Sequence, residues 1–310
     1  MKNHYFILFL LALFSCEKDS KDIDFKIESA PTVLCMSGFV STDSIYVILS
    51  KNMPRDFIYR GGNPYLLQDT AESINVYEND VFFCRLKPFI VFKDSGYNTQ
   101  YVKVYYTSHK KVTEGKTYSI TATHKDFKSV SAKTTIPFNV PIVSVDTFTF
   151  FQHEKIWHII DGDIMNAIIT DTIIQYTMFT INFTDPLQYM NYYMIEILDK
   201  DVYHAGFLQD PIIETKYRPN SGDSQVNLFT DNFIQGKTYG FQYSVRTDHP
   251  YSQTFRLYSL NDDYYKYTLS VFNYNSKTYD TYQEPTPIYS NIQNGKGIIG
   301  GFTVSEVKLE

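Results

Sequence analysis

Residues 118–123 read Tyr118-Ser119-Ile120-Thr121-Ala122-Thr123, with an apolar side chain at every second position and a small polar one between. Successive side chains of an extended strand point to opposite faces, so Tyr118, Ile120 and Ala122 share one face while Ser119, Thr121 and Thr123 share the other. That is the pattern of a strand with one side on a core and the other towards water. Just upstream, Glu114-Gly115-Lys116 is a turn signal.

The same rhythm extends in both directions. Val33 to Val40, Ile45 to Leu49, Ile74 to Tyr77, Val81 to Leu86, Tyr101 to Tyr106 and Ser129 to Ile136 are apolar runs broken by polar, Gly or Pro turns, and all read as strands. Seven short strands between residues 27 and 137 fit an immunoglobulin-like β-sandwich. Asn52 to Thr70, with Pro54, Gly61, Gly62 and Pro64, is a long irregular connection of the kind that is either functional or disordered. Pro137 and Pro141 bracket an extended linker, and a second β-rich, sandwich-like domain is expected over 142–310. Its strands are Val143 to Phe151, Tyr176 to Phe183, Tyr192 to Leu198, Val226 to Phe229, Tyr239 to Thr247 and Gly297 to Val307. Ile159 to Ile174, carrying Asp161-Gly162-Asp163, has no clear period and reads as a loop with a small hairpin. One short helix stands out near 262–275: Tyr265, Thr268, Leu269 and Phe272 follow helical spacing after an Asn261 or Asp262 start.

Composition agrees with strands. The chain holds 27 Tyr and 24 Phe beside one Trp, and is rich in Thr, Val and Ile, residues that suit a pleated, half-buried surface. Net charge is −6 with the basic residues dispersed, so no stripe exists to neutralise phosphates and nucleic acid is not an expected partner.

The N-terminus reads as an address. Lys2 is a positive flank, Tyr5 to Phe14 form an apolar run of ten, and Ser15 places a small residue before Cys16. A membrane-crossing helix needs roughly 20 apolar residues, so this run is too short to be a permanent span. Residues 1–15 are expected to be a signal peptide whose end resembles the bacterial lipobox, which makes Cys16 the lipidation site and 16–26 a flexible, charged tether. Each buried lipid CH₂ contributes about 0.8 kcal/mol, so several acyl chains hold such a protein firmly on a membrane. Lys18 and Asp19 after the cysteine resemble the surface-export signal of Bacteroidota lipoproteins, implying an outer-membrane, cell-surface location. The remaining cysteines, Cys35 and Cys84, are candidates for a disulfide in an oxidising compartment; both lie in apolar runs, and buried free thiols are an equal reading.

Several motifs in the second half together resemble a Bacteroidota surface-lipoprotein family known as domain of unknown function 4249. They are Asp185-Pro186 with Asn191-Tyr192-Tyr193, then Asp231 with Gly236-Lys237-Thr238-Tyr239, the Tyr264-Tyr265-Lys266-Tyr267 helix, and a closing Glu284-Pro285-Thr286-Pro287-Ile288-Tyr289-Ser290-Asn291-Ile292-Gln293-Asn294-Gly295. The resemblance implies β-rich surface lipoproteins, often encoded beside TonB-dependent outer-membrane receptors. The residues also have plain structural readings: Asp185-Pro186 is a turn that launches a strand, and Asn294 to Gly301 permits positive φ and close backbone approach in the last strand.

No catalytic constellation is visible. His153 and His158 are five apart, which on a strand points them to opposite faces, so a shared zinc is not expected. Asp161-Gly162-Asp163 lacks the remaining ligand positions of a calcium loop. No nucleophile elbow or phosphate-binding glycine loop appears, and no metal or cofactor is expected. Asp43-Ser44-Ile45, Asp69-Thr70-Ala71 and Asp171-Thr172-Ile173 resemble O-glycosylation sites of exported Bacteroidota proteins, with Ser44, Thr70 and Thr172 as acceptors. The expected role is a non-enzymatic accessory or cargo-binding subunit of a TonB-dependent transporter; a stand-alone glycan- or peptide-binding module, using Tyr251, Tyr258, Tyr274, Tyr279 and Tyr282, is the alternative.

Overall fold

A computed structural model describes residues 31–52, 69–94, 100–160, 163–199, 207–208, 224–246, 253–277 and 287–309. The compact unit Thr32–Glu310 is mainly β, with three sheets and one helix among the described residues. Its strands are β1 (Leu34–Val40), β2 (Ile45–Lys51), β3 (Ser73–Glu78), β4 (Val81–Arg85), β5 (Lys87–Asp94), β6 (Gln100–Ser108), β7 (Thr117–Thr123) and β8 (Val130–Thr135). After Pro137–Pro141 follow β9 (Ile142–Ile160), β10 (Asp163–Thr184), β11 (Tyr192–Asp199), β12 (Phe207–Leu208), β13 (Ser224–Thr230), β14 (Thr238–Arg246) and β15 (Gln253–Leu260). Helix α1 (Asp262–Lys277) and β16 (Lys296–Leu309) close the chain.

Alternation decides the local structure. Tyr118, Ile120 and Ala122 are buried along β7 and the residues between them are not. They meet Ile74 and Val76 of β3 and Val130 and Ala132 of β8 in one core, shared with Leu34 and Met36 of β1 and Val47 and Leu49 of β2. The sheet β4-β3-β7-β8 therefore lies against the β1, β2 part of the large sheet. Fully burying each of the Leu, Ile, Val and Met side chains here contributes about 1.5–3 kcal/mol. A second core gathers Ile181 and Phe183 of β10, Tyr193 and Ile195 of β11, Phe241 of β14 and Phe255 and Leu257 of β15.

The expected linker falls between these two cores, but the largest sheet runs across both. Its order is β13-β11-β15-β16-β1-β2-β6-β5. The first strand and the last lie side by side, β1 pairing parallel with Lys296 to Gly301 of β16, while Phe302 to Leu309 of the same strand pair with β15. Ile299, near the start of β16, belongs to the first core.

The helix starts where its sequence predicts. Asn261 Oδ1 accepts the Tyr264 N–H at 3.0 Å, the N-cap bond that satisfies one of the free donors of the first turn. The same side chain reaches Thr134 Oγ1 at 3.0 Å and accepts the Gly301 N–H at 3.1 Å, so one residue fastens α1 to β8 and β16. Tyr264 lies flat on Gly300, where any Cβ would collide with its ring. Gly297, at φ 115°, occupies backbone that favours glycine, with the Met36 carbonyl against it.

Three strands escape the sequence pattern. β5 follows β4 with only Leu86 between them, the chain stepping from one sheet to another without a turn. β12 is two residues long. β15 buries Gln253 and Ser259 among its apolar residues, which hides its period. The segment from Ile159 to Ile174 differs from expectation: it is the far end of one long hairpin of β9, 19 residues, with β10, 22 residues. The buried side of β10 changes from Phe179, Ile181 and Phe183 to Ile174 and Tyr176.

Candidate functional site

Asp185 and Asp231 are the buried acidic residues among those described, each 2% exposed. Asp185 directly follows β10 and opens the connection to β11, and its carboxylate is fully engaged. Tyr193 Oη donates to Oδ1 at 2.5 Å, Asn191 Nδ2 donates to the same oxygen at 3.2 Å, and the Gly236 N–H donates to Oδ2 at 2.9 Å. Asp231 accepts the Asn191 N–H at 2.7 Å. Asn191 Nδ2 also donates to the Tyr189 carbonyl at 2.9 Å. The Asp185 N–H donates to the Lys237 carbonyl at 3.0 Å, and the Ile234 and Lys237 N–H groups close successive turns at 2.9 Å each.

Burial pushes the Asp231 carboxyl above its ordinary value, the Asn191 N–H works against that, and the nearby Asp185 charge adds to it. Burial, together with the Asp185 hydrogen bond, also drives the Tyr193 phenol upward. A carboxylate enclosed this way has no oxygen left for a substrate. Its chemistry is to fasten, because buried charge is tolerated when hydrogen-bonded and costly when not.

What it fastens are two loops whose tips are apolar and exposed. Leu187, Tyr189 and Met190 stand on the first and Phe233 on the second, with Leu187 and Phe233 each 71% exposed. Phe138, from the linker, is 55% exposed and stacks on Tyr189 at 6.4 Å. Beneath them Ile234 is buried. Five large apolar side chains on loops anchored to a buried polar hub form a surface patch of the kind that marks an interaction site.

A second cluster secures the chain returning from the Asn52 to Thr70 connection. His124, almost fully buried, accepts the Asp126 N–H on Nδ1 at 3.0 Å, so its Nε2 carries the proton towards Asp69 Oδ1 at 3.1 Å. Lys51 Nζ is 2.9 Å from Asp69 Oδ2. Burial raises the Asp69 carboxyl, but bonds from Lys51, the Thr70 N–H and His124 outweigh it and hold the group below its ordinary value.

The other sequence candidates are dispersed. Cys16, Lys18 and Asp19 lie outside the described residues, as do residues 53–68, Asp161-Gly162, Tyr251, Tyr279, Tyr282 and Glu284 to Thr286. Cys35 on β1 and Cys84 on β4 are free thiols here and lie on different sheets. Ser44 sits in the β1–β2 turn, bonded to Ser41; Thr70 is exposed beside Asp69; Thr172 lies on β10 opposite Glu154. Tyr258 is held by Glu196 at 2.7 Å, and Tyr274 is exposed on α1. His153 Nδ1 is 3.5 Å from Asp171 in an exposed pair, and no three His, Cys, Asp or Glu side chains gather into a metal-holding group among the described residues. In the sequence Asp185 and Asn191 fall in one motif and Asp231 and Gly236 in another, and the spacing between the two motifs gives no sign that they converge.

The fold and the patch define a mainly β protein that presents apolar loop tips from a rigid polar hub. The chain belongs to the family described as domain of unknown function (DUF4249), whose model matches residues 20–308. No curated protein matches the sequence. Among solved structures, the Fcho1 Mu homology domain of Danio rerio with bound Eps15 peptide is similar at 7% identity over 91% of this chain and 98% of that one. Its TM-score of 0.23 is too low to carry an argument.

Proposed function

We propose that the chain is an outer-membrane lipoprotein, tethered through a lipid on Cys16 and sent to the cell surface by Lys18 and Asp19. In this reading it is a non-catalytic accessory or cargo-binding subunit of a TonB-dependent transporter. The observation that carries the reading is the patch of Leu187, Tyr189, Met190, Phe233 and Phe138 held on the Asp185–Asn191–Asp231 hub. A rigid apolar surface loses little freedom on docking, which favours association. The shared core of the first half supports an immunoglobulin-like sandwich as the scaffold, with a second sandwich-like half behind the patch. Ser44, Thr70 and Thr172 serve as glycan acceptors in the same reading, on a surface facing the medium.

Affinity capture of the full chain through a C-terminal tag, from solubilised membranes, tests it. A TonB-dependent barrel is expected with the wild type and absent with Leu187→Glu/Phe233→Glu; recovery of no barrel with the wild type would sink the proposal. The alternative, a glycan- or peptide-binding module, draws on the stacked Phe138 and Tyr189 rings, since aromatic faces bind sugars and peptides. Hits on a glycan or peptide array that vanish with Tyr189→Ala would favour it.

A further inference from the structure

Among the described residues, β9 is the last strand of the sheet β12-β14-β10-β9, with β10 as its partner on one side only. An unpaired edge offers a row of backbone N–H and C=O groups to another strand, and proteins guard such edges with charges, Pro, bulges or brevity. The free part of β16, from Phe302 onward, is guarded by Glu306 and Lys308. β9 carries Asp146, Glu154 and Lys155, but its middle is not guarded in this way. It is 19 residues long, its pairing with β10 is irregular at both ends, opposite Asn182/Phe183 and opposite Asp163/Ile168, and Thr147 to His153 contains neither Pro nor any Lys, Arg, Asp or Glu. Phe148 and Phe151 stand exposed on its opposite faces, at 62% and 69%.

What such an edge fits is an extended backbone, and the register of β9 against itself selects which one. A two-fold axis perpendicular to a sheet keeps every side chain on its own face, so two copies of β9 pair antiparallel only with residues of equal parity opposite each other. An axis through Phe150 sets Asp146 against Glu154, acid on acid, which is unfavourable. An axis through Phe148 sets Asp146 against a Phe150 ring, and one through Phe151 sets Glu154 against Phe148. An axis through Thr149 places Phe148 opposite Phe150 twice, Asp146 opposite Gln152 and Val145 opposite His153, with no like charges facing. Within one copy Phe148 already stacks on Phe150 at 6.4 Å, and Phe150 on Tyr176 at 5.5 Å. The Thr149 axis carries that ladder of rings from one copy into the next.

We infer that two copies of this chain join edge to edge through β9, on a two-fold axis at Thr149, making one continuous eight-stranded sheet from two four-stranded ones. The dimer leaves the Leu187–Phe233 loops to another partner and stands independently of the transporter reading.

The test uses the full chain in detergent. Sedimentation gives a dimer for the wild type and a monomer for Phe148→Lys/Phe150→Lys, which sets lysines opposite each other; unchanged thermal melting shows that the fold survives. In a Cys35→Ser/Cys84→Ser background, Thr149→Cys is expected to give a dimer under mild oxidation on non-reducing gels. Gln152→Cys is not, because its two copies lie about 20 Å apart in this register. A wild-type monomer at micromolar concentration, a dimer that survives the double lysine change, or equal cross-linking at 149 and 152 would each overturn the inference.

Discussion

Asn191 shows how much one side chain can organise. Its amide and backbone N–H bind both buried carboxylates and the Tyr189 carbonyl; Asn191→Ala takes the amide donor from Asp185 and the longer 3.4 Å one from Asp231, while the backbone N–H to Asp231 remains. An unsatisfied buried group costs about 1–3 kcal/mol, and the urea midpoint is expected to fall accordingly, together with the protection of the 185–191 loop in hydrogen exchange. Asp69 and Asp231 respond to acid in opposite senses. The depressed Asp69 carboxyl contributes stability that is present above its unfolded value near 3.8 and is lost as pH falls through the folded one. The raised Asp231 binds its proton earlier in the folded state than in the unfolded chain, so it favours folding as pH falls towards 3.8. Denaturation followed from pH 6 to pH 3 should therefore show a shallower acid loss in Asp69→Asn and a steeper one in Asp231→Asn than in wild type; identical slopes would refute both assignments. These residues are recognisable in the sequence as a resemblance, Asp185-Pro186 to Asn191 and Asp231 to Gly236, but not as a cluster. Residues 40 apart such as Asn191 and Asp231 leave no local trace of a hydrogen bond between them.

Among the elements, legibility followed burial on one face. β7 and the helix could be read because each keeps a single period from end to end. Of the long β9–β10 hairpin only Val143 to Phe151 and Tyr176 to Phe183 could be read, and β15 could not, because Gln253 and Ser259 occupy core positions. The N-cap of α1 is the element's most exposed dependency. Asn261→Ala removes the cap and two tertiary bonds, and a loss of about 1–2 kcal/mol is expected from the cap alone. Asn261→Asp restores the cap acceptor but not the donor to Thr134, so its melting temperature should fall between those of wild type and Asn261→Ala. Equal melting of the two variants would show that the cap contributes nothing here.

At the scale of the whole molecule, the Pro137–Pro141 boundary marks a change of core but not a break in the sheet. The expectation of two halves was legible because each half has its own apolar runs. The parallel pairing of β1 with β16 was not, since the two strands lie more than 250 residues apart and such pairing has no local signature. It follows that residues 27–137 expressed alone lack the neighbour of β1 along with Ile292 and Ile299 of their core, and should show neither a cooperative thermal transition nor dispersed amide resonances. A well-folded fragment would refute this. The same pairing sets a clock. A contact between the two ends of a chain must wait for the later end to be made, and loops of this span close slowly. β1 has no inner neighbour until Lys296 to Gly301 arrive, so the largest sheet stays open through almost the whole of synthesis. The strand that closes the largest sheet is thus, of the described strands, the last to leave the ribosome.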